Sequence, residues 1–285
     1  MKGRRTALVT DVDRALGRTI ALKLAEAGHR VMAGAASLQG LDDLPRETYA
    51  RGLIELVKLD TRDASSCESA VAETKRRLGA LDAVVWAGGF ATFGPVEEET
   101  EADAQASIDA NLHAPWRVLR AALPCLRESP GSIIVAVSSA AGRVALPMGG
   151  AYSASRFALE GLCDALRLEL ASFGVDVCLV EPGLLRDRVH ELEKQSVSAK
   201  NLFGVGPSSP YAALGRAATR GYRALMGKAA THDQVATVIE RALRSKRPKP
   251  RLAVTRGTAA VMLARRILPD RMMDKRLTRA VKKRS

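Results

Sequence analysis

Tyr152 and Arg156 stand four residues apart in the segment 151–174, "AYSASRFALEGLCDALRLELASFG". Its pattern reads as a helix, so a phenol and a guanidinium share one face. A free tyrosine has a pKa of about 10, and one that handles protons at neutral pH needs a cation beside it. Ser139 ends the apolar run "GSIIVAVSS" (131–139), just ahead of that helix, and Asn111 lies in the preceding helical pattern, within "ANLHAPWRVLRAALP". These four residues are the candidate catalytic set. A second candidate is "TDVDRALG" (Thr10 to Gly17), which follows a short apolar run and opens a helix. Dinucleotide-binding proteins place a glycine-rich phosphate loop there. Here Asp11 adds a carboxylate near the anion that a helix N-terminus would otherwise welcome. The other reading of Asp11 and Asp13 is a helix cap.

The elements that must position these groups alternate along the chain. Apolar runs at 6–10, 29–35, 53–60, 81–88, 131–139 and 175–183 read as strands. Between them fall helices near 15–28, a charged one in "CESAVAETKRRLG", a long one at 101–128 and the one at 151–174, with Phe157, Leu162, Leu166 and Leu170 as its apolar positions. Buried strands separated by helices predict an α/β, Rossmann-like, doubly wound parallel sheet. Ligands in such sheets bind beyond the carboxyl ends of the strands, where Asp11, Ala36, Asp60, Gly88, Ser139 and Gly183 fall. After strand six, residues 186–230 mix Pro, Gly, Ser and isolated apolar residues such as Leu202, Phe203, Tyr211 and Tyr222, the composition of a substrate lid. "THDQVATVIERAL" restarts a helix, with Thr231 and Gln234 spaced as a capping box, and "PRLAVTRG" reads as a last short strand. The expected organisation is a single domain over 1–258, with a basic helical tail at 259–285.

From about 6 to 185 the sequence resembles the short-chain dehydrogenase/reductase family. The resemblance rests on "KLD", "ANL", "VSSAAG", "YSASRFALEG" and "VEPG", in that order and spacing. "FALEGLCDALRLELASFGV" is most similar to members acting on steroids, retinoids and other hydrophobic alcohols or ketones. The resemblance implies that Tyr152 is the acid/base during hydride transfer, that Ser139 holds the substrate oxygen and that Asn111 supports a water in the proton path. It implies that Asp60 caps the adenine and that Gly183, after Pro182, lets the backbone approach the nicotinamide. Thr10, Arg14, Leu16, Gly17, Ala87 and Gly88 complete the expected cofactor set.

The sequence departs from the family at several of these places. Of the three glycines in the family's Thr-Gly-x-x-x-Gly-x-Gly loop only Gly17 is kept. The family's Asn-Asn-Ala-Gly is Val85-Trp86-Ala87-Gly88, with a bulky Trp86 expected near the adenosine ribose. The family's lysine is Arg156, which keeps the charge but cannot relay a proton. After strand two the chain reads Ala35-Ala36-Ser37, without the acid that holds ribose hydroxyls in NAD-preferring members. Arg14 is the basic residue placed to meet a 2′-phosphate, so NADP is expected ahead of NAD.

Charge is unevenly spread. Residues 241–285 hold 16 Lys/Arg against Asp270 and Asp274, while the first 240 residues carry 28 against 29 acids, a balance of −1. In the tail Met273, Leu277 and Val281 recur every fourth residue against a cationic face. Such a helix can lie on an anionic membrane, or it can close the substrate pocket with a solvated outer face. Nucleic-acid binding is disfavoured by the lack of interleaved aromatics. Cys67, Cys125, Cys163 and Cys178 form no CxxC pair, and His113, His190 and His232 have no partners at metal spacing, so free thiols and no metal site are expected. No leader or membrane-spanning run is legible, which points to a cytoplasmic protein, with or without contact to a membrane surface. The expected activity is NAD(P)(H)-dependent interconversion of a small hydrophobic alcohol and ketone, in a homo-oligomer paired through 101–128 and 151–174 as the family pairs. The alternative is a catalytically impaired pseudoenzyme that binds a ligand or partner.

Overall fold

The computed structural model describes residues 3–47, 52–186 and 203–282. Seven strands form one parallel sheet in the order β3-β2-β1-β4-β5-β6-β7. They are β1 (Thr6–Val9), β2 (Arg30–Ala35), β3 (Ile54–Lys58), β4 (Ala83–Trp86), β5 (Ile133–Val137), β6 (Asp176–Glu181) and β7 (Arg251–Ala253). The helices are α1 (Ala15–Glu26), α2 (Leu44–Glu47), α3 (Ala64–Leu78), α4 (Glu101–Ile108), α5 (Ala114–Arg127), α6 (Gly150–Glu169), α7 (Ala212–Leu225), α8 (His232–Arg244), α9 (Arg256–Ile267) and α10 (Asp270–Lys282). The strand order reverses between β1 and β4, whose register pairs Val9 with Val85. In sheets of this kind such a switch point is where a ligand crevice lies, here at the strand ends between the loop after β1 and the loop after β4.

β1, β4 and β5 are buried along their whole length, because apolar clusters cover both faces of the sheet. Val9, Val31, Val85 and Val135 face α1 and α8, while Leu8, Val84, Trp86 and Ile134 face α3, α5 and α6. Local signals set the ends of the helices. Asp63 caps α3 by accepting from the amide of Ser65, and Gly79 ends it in the left-handed region at φ 77°. The capping box of Thr231 and Gln234 forms at the start of α8.

Four expectations are corrected. The long helix at 101–128 is broken by a π-helical turn, Asp109–His113, that carries Asn111. Such a turn redirects side chains within an otherwise continuous helix. The buried stripe of α6 is Leu159, Cys163 and Leu166, continued by Leu170; Phe157 is 43% exposed, because the helix turns that residue outward. Residues 203–230 hold the regular helix α7, which buries small residues (Ala212, Ala217, Ala218) and so lacks the large-residue periodicity that announces a helix. The remainder of the expected lid, 187–202 with Leu202 and His190, lies outside the described residues. Finally, Asp11 and Asp13 do not cap α1. Arg14 occupies the cap position, without a side-chain cap bond.

Candidate active site

The loop after β1 turns back on itself. Thr10 N donates to Val85 O at 3.1 Å, and Thr10 Oγ1 accepts from Ala87 N at 3.1 Å, which fixes the two crevice loops to each other. Asp11 follows in the left-handed region at φ 56°, where a glycine would cost less, and its carbonyl accepts from Arg14 N at 3.0 Å. Gly17 is required by packing. A Cβ there would lie 2.3 Å from Asp11 O. Leu16 packs against the apolar cluster beneath α1.

The Asp11 carboxyl does not project toward the end of α1. Its Oδ2 is buried without a partner, and a Cβ on Gly88 would lie 2.5 Å from it. Burial raises its pKa, against a hydrogen bond from Thr10 and the charge of Arg14. The group therefore holds its proton more tightly than an ordinary carboxyl does, beside Gly88. Trp86 is likewise turned inward. Its side chain is 1% exposed and packs with the α3–α5–α6 cluster, with the edge of its indole against Gly88, where a Cβ would lie 2.7 Å from it. Arg14 reaches across the crevice, and its Nη1 donates to Gly89 O at 2.8 Å. To meet a 2′-phosphate it would have to release that carbonyl.

The other half of the site is held by β5, α6 and the π turn. Ser139 follows β5 and caps the short 3-10 turn Ala140–Gly142, its Oγ accepting from Ala141 N at 3.1 Å. α6 packs on that turn and carries Tyr152 in its first turn. The Arg156 guanidinium lies 5.3 Å from the Tyr152 ring centroid and donates from Nη1 to Val137 O at 3.1 Å. Arg156 is 3% exposed, with its Nε unpartnered. The planar guanidinium fits only because residue 89 is glycine, since a Cβ there would fall 1.9 Å from Nη2.

Asn111 is fully buried. Its Oδ1 accepts from Phe90 N at 2.9 Å, and its Nδ2 donates to Phe90 O at 2.7 Å and to Ser155 Oγ at 2.8 Å. The side chain ties the loop after β4 to α6 with both of its amide protons, and its Oδ1 keeps one lone pair. Asp60 is also engaged. Arg62 grips it through both carboxylate oxygens and holds its pKa down at about 2, so it closes its own turn ahead of α3. Pro182 O accepts from Ala140 N at 2.9 Å. The bare Gly183 makes room for Thr258 of α9, whose Oγ1 would be 2.7 Å from a Cβ at 183.

Tyr152 opens onto an apolar wall that the catalytic residues did not foretell. Phe93 lies 5.6 Å from Tyr152 and 5.6 Å from Phe203, and Tyr222 of α7 lies 5.9 Å from Phe203. Met148, Val205 and Ala218 pack with them. The residues missed in sequence are Gly89, Phe90, Phe93, Val137 and Thr258. The glycine pair in "AGGF" was the one local signal among them.

The crevice suits a dinucleotide. The first turn of α1 offers the amides every helix leaves without intrahelical acceptors, while the Cβ positions of glycines 17, 88 and 89 are taken up by Asp11, Trp86 and Arg156. A parallel α/β sheet with this crevice, followed by a serine and a tyrosine–cation pair on one helix, defines the class of dinucleotide-dependent oxidoreductases. The sequence profile of the short chain dehydrogenase family matches residues 5–196, and the chain belongs to that family, whose cofactor is NAD(P)(H). It is 31% identical over 271 residues to the uncharacterized oxidoreductase YbbO of Escherichia coli K12, covering 95% of this chain and 93% of that protein. It is 31% identical over 279 residues to mouse retinol dehydrogenase 5, covering 95% of this chain and 86% of that one. Among solved structures, a short-chain dehydrogenase from Streptomyces avermitilis superposes with a TM-score of 0.77 at 28% identity, over 99% of this chain and 98% of that one.

Proposed function

We propose that this oxidoreductase interconverts an extended apolar alcohol and its ketone or aldehyde, with Tyr152 as acid/base. The observation that carries the reading is that Tyr152 neighbours both the Arg156 guanidinium, 5.3 Å from its ring, and Phe93 of the Phe93–Phe203–Tyr222 wall, 5.6 Å from it.

In the reducing direction, Ser139 hydrogen-bonds the substrate carbonyl. Its Oγ already accepts from Ala141 N, so its own proton remains to be donated. Tyr152 delivers its phenolic proton to that oxygen as it becomes an alkoxide. Arg156 provides the charge that the resulting phenolate needs, without passing on a proton itself. The bound cofactor supplies or accepts the hydride. The loops around Thr10, Gly17, Ala87 and Gly88 hold the dinucleotide, and the aromatic wall excludes water from the reacting atoms. The end of β2 has no acidic side chain, which supports NADP(H) over NAD(H). The similarity to retinol dehydrogenase 5 supports a long apolar substrate.

The test combines calorimetric titration with NADPH and NADH and turnover of a panel of apolar ketones and aldehydes. Cofactor binding with turnover that Tyr152→Phe abolishes is the expected result. A folded protein that binds neither cofactor would instead favour the pseudoenzyme alternative.

A further inference from the structure

Of the protein's exposed large apolar side chains, four fall within twelve residues: Val261, Leu263, Ile267 and Met272, at 38%, 58%, 67% and 49% exposure. They belong to α9 and α10, and Leu225 at the end of α7 adds a fifth at 44%. α9 makes little use of the core, since Thr258 is its one buried residue. An apolar helix left bare on a water-soluble surface calls for something that covers it.

Charge selects the occupant. Residues 256–282 hold eight Lys/Arg against two Asp, a balance of +6, in a chain whose first 240 residues balance at −1. Arg266, Arg271, Lys275 and Arg276 are exposed beside the apolar side chains. A second copy would bring the same cations face to face. A nucleic acid would meet the charge but not the aliphatic side chains, and residues 241–285 contain no aromatic on which a base could stack. An anionic lipid surface satisfies both, since its headgroups meet the cations and its acyl boundary receives Leu263 and Ile267. Among the described residues no helix is long and apolar enough to cross a membrane, so the contact is peripheral.

We propose that α9 and α10 dock the protein on anionic membranes. The docking surface is continuous with the site. α10 packs on α7 and buries Met273, and α7 carries Tyr222 into the aromatic wall before Tyr152. Thr258, at the start of α9, fills the space left by Gly183. A bilayer under α9 and α10 thus lies beside the mouth through which an apolar substrate enters. That delivery role rests on the oxidoreductase reading; membrane attachment does not.

The test is co-sedimentation of the full chain with phosphatidylcholine vesicles, with and without phosphatidylglycerol, over a salt series, alongside the variants Leu263→Glu/Ile267→Glu and Arg266→Glu/Arg271→Glu. The expected result is retention on anionic vesicles that falls with salt and drops more than tenfold in each double variant. Circular dichroism and turnover of a short water-soluble ketone should stay unchanged, which separates this proposal from the choice of substrate. Absence of retention on anionic vesicles, retention equal in both variants, or a dimer in light scattering that Leu263→Glu/Ile267→Glu dissolves would each overturn the proposal.

Discussion

Arg156 and Gly89 fit each other: the Arg156 Nη2 atom occupies the place where any side chain on residue 89 would begin, with a Cβ there only 1.9 Å away. Gly89 also has a φ of 151°, which L side chains rarely adopt. The arginine thus belongs to a rebuilt corner of the site, made of Gly89, the Val137 carbonyl and the face of Tyr152. Gly89→Ala is expected to displace the guanidinium and to cost about 1–3 kcal/mol in unfolding free energy. Turnover should fall more than cofactor affinity. Arg156→Lys should also slow the reaction, because an ammonium cannot span from Val137 O to Gly89. Steady-state rates of the two variants decide the point, and a faster Arg156→Lys enzyme would mean that proton relay is limiting.

Asp11 gives the second prediction. Burial raises its pKa, so the folded state holds a proton that the unfolded chain gives up at lower pH. Its contribution is least harmful at acid pH, and it destabilises the fold as the pH rises from the ordinary carboxylate range toward the raised value. Ionisation beside a bound dinucleotide would also repel phosphate, so NADPH affinity should weaken over the same rise. Asp11→Gly should tighten binding, remove that pH dependence and relieve the positive φ, the last worth about 1 kcal/mol. Calorimetric titrations over a pH series that climbs from the ordinary carboxylate range would reveal it; a pH-independent affinity in the unmodified protein would count against it.

A buried acid at the end of β6 sets a third. Glu181 is 2% exposed, and its pKa is pushed up to about 7 by burial and by Glu160, while Arg143 and Arg251 oppose the shift. The native state therefore binds more protons than the unfolded chain between the ordinary glutamate range and about 7. Stability should decline across that window as the pH rises, and then level off. Glu181→Gln should flatten the decline and raise stability at pH above 7, on the order of 2 kcal/mol. Arg251 would keep Glu160 at 2.9 Å and Asp164 at 2.6 Å as partners. Urea midpoints of both proteins across pH 5 to 8 are the measurement.

The fourth concerns assembly. Trp116 of α5 and Phe157 of α6 are 52% and 43% exposed, on the helices through which a homo-oligomer is proposed to form. Trp116→Glu/Phe157→Glu should convert a dimer or tetramer to monomer in light scattering. An unchanged mass would place the interface elsewhere.

Much of the fold was legible because parallel strands buried on both faces are runs of Val, Ile and Ala, which no amphipathic helix imitates. Strands were located to within about two residues, and even the three-residue β7 was marked by its punctuation. Helix α7 was not visible, because its buried side is lined by alanine and glycine and its partners, Phe203 and Phe93, come from elsewhere in the chain. Phe157 misled for the converse reason: an aromatic at helical spacing reads as core unless the packing partners are known.

The sequence by itself determined the fold, the family and the identity of the residues that can handle a proton, because hydrophobic period and local motif encode those. Tertiary structure alone decided what each of them touches. It turned the Asp11 carboxyl inward beside Gly88, buried Trp86 beneath the sheet, spent the Asn111 amide on Phe90 and Ser155, and led Arg14 to Gly89. These outcomes depend on distances between loops far apart in the chain, and a side chain's charge and hydrogen-bonding role follow from its burial and its neighbours, neither of which is a property of the residue alone.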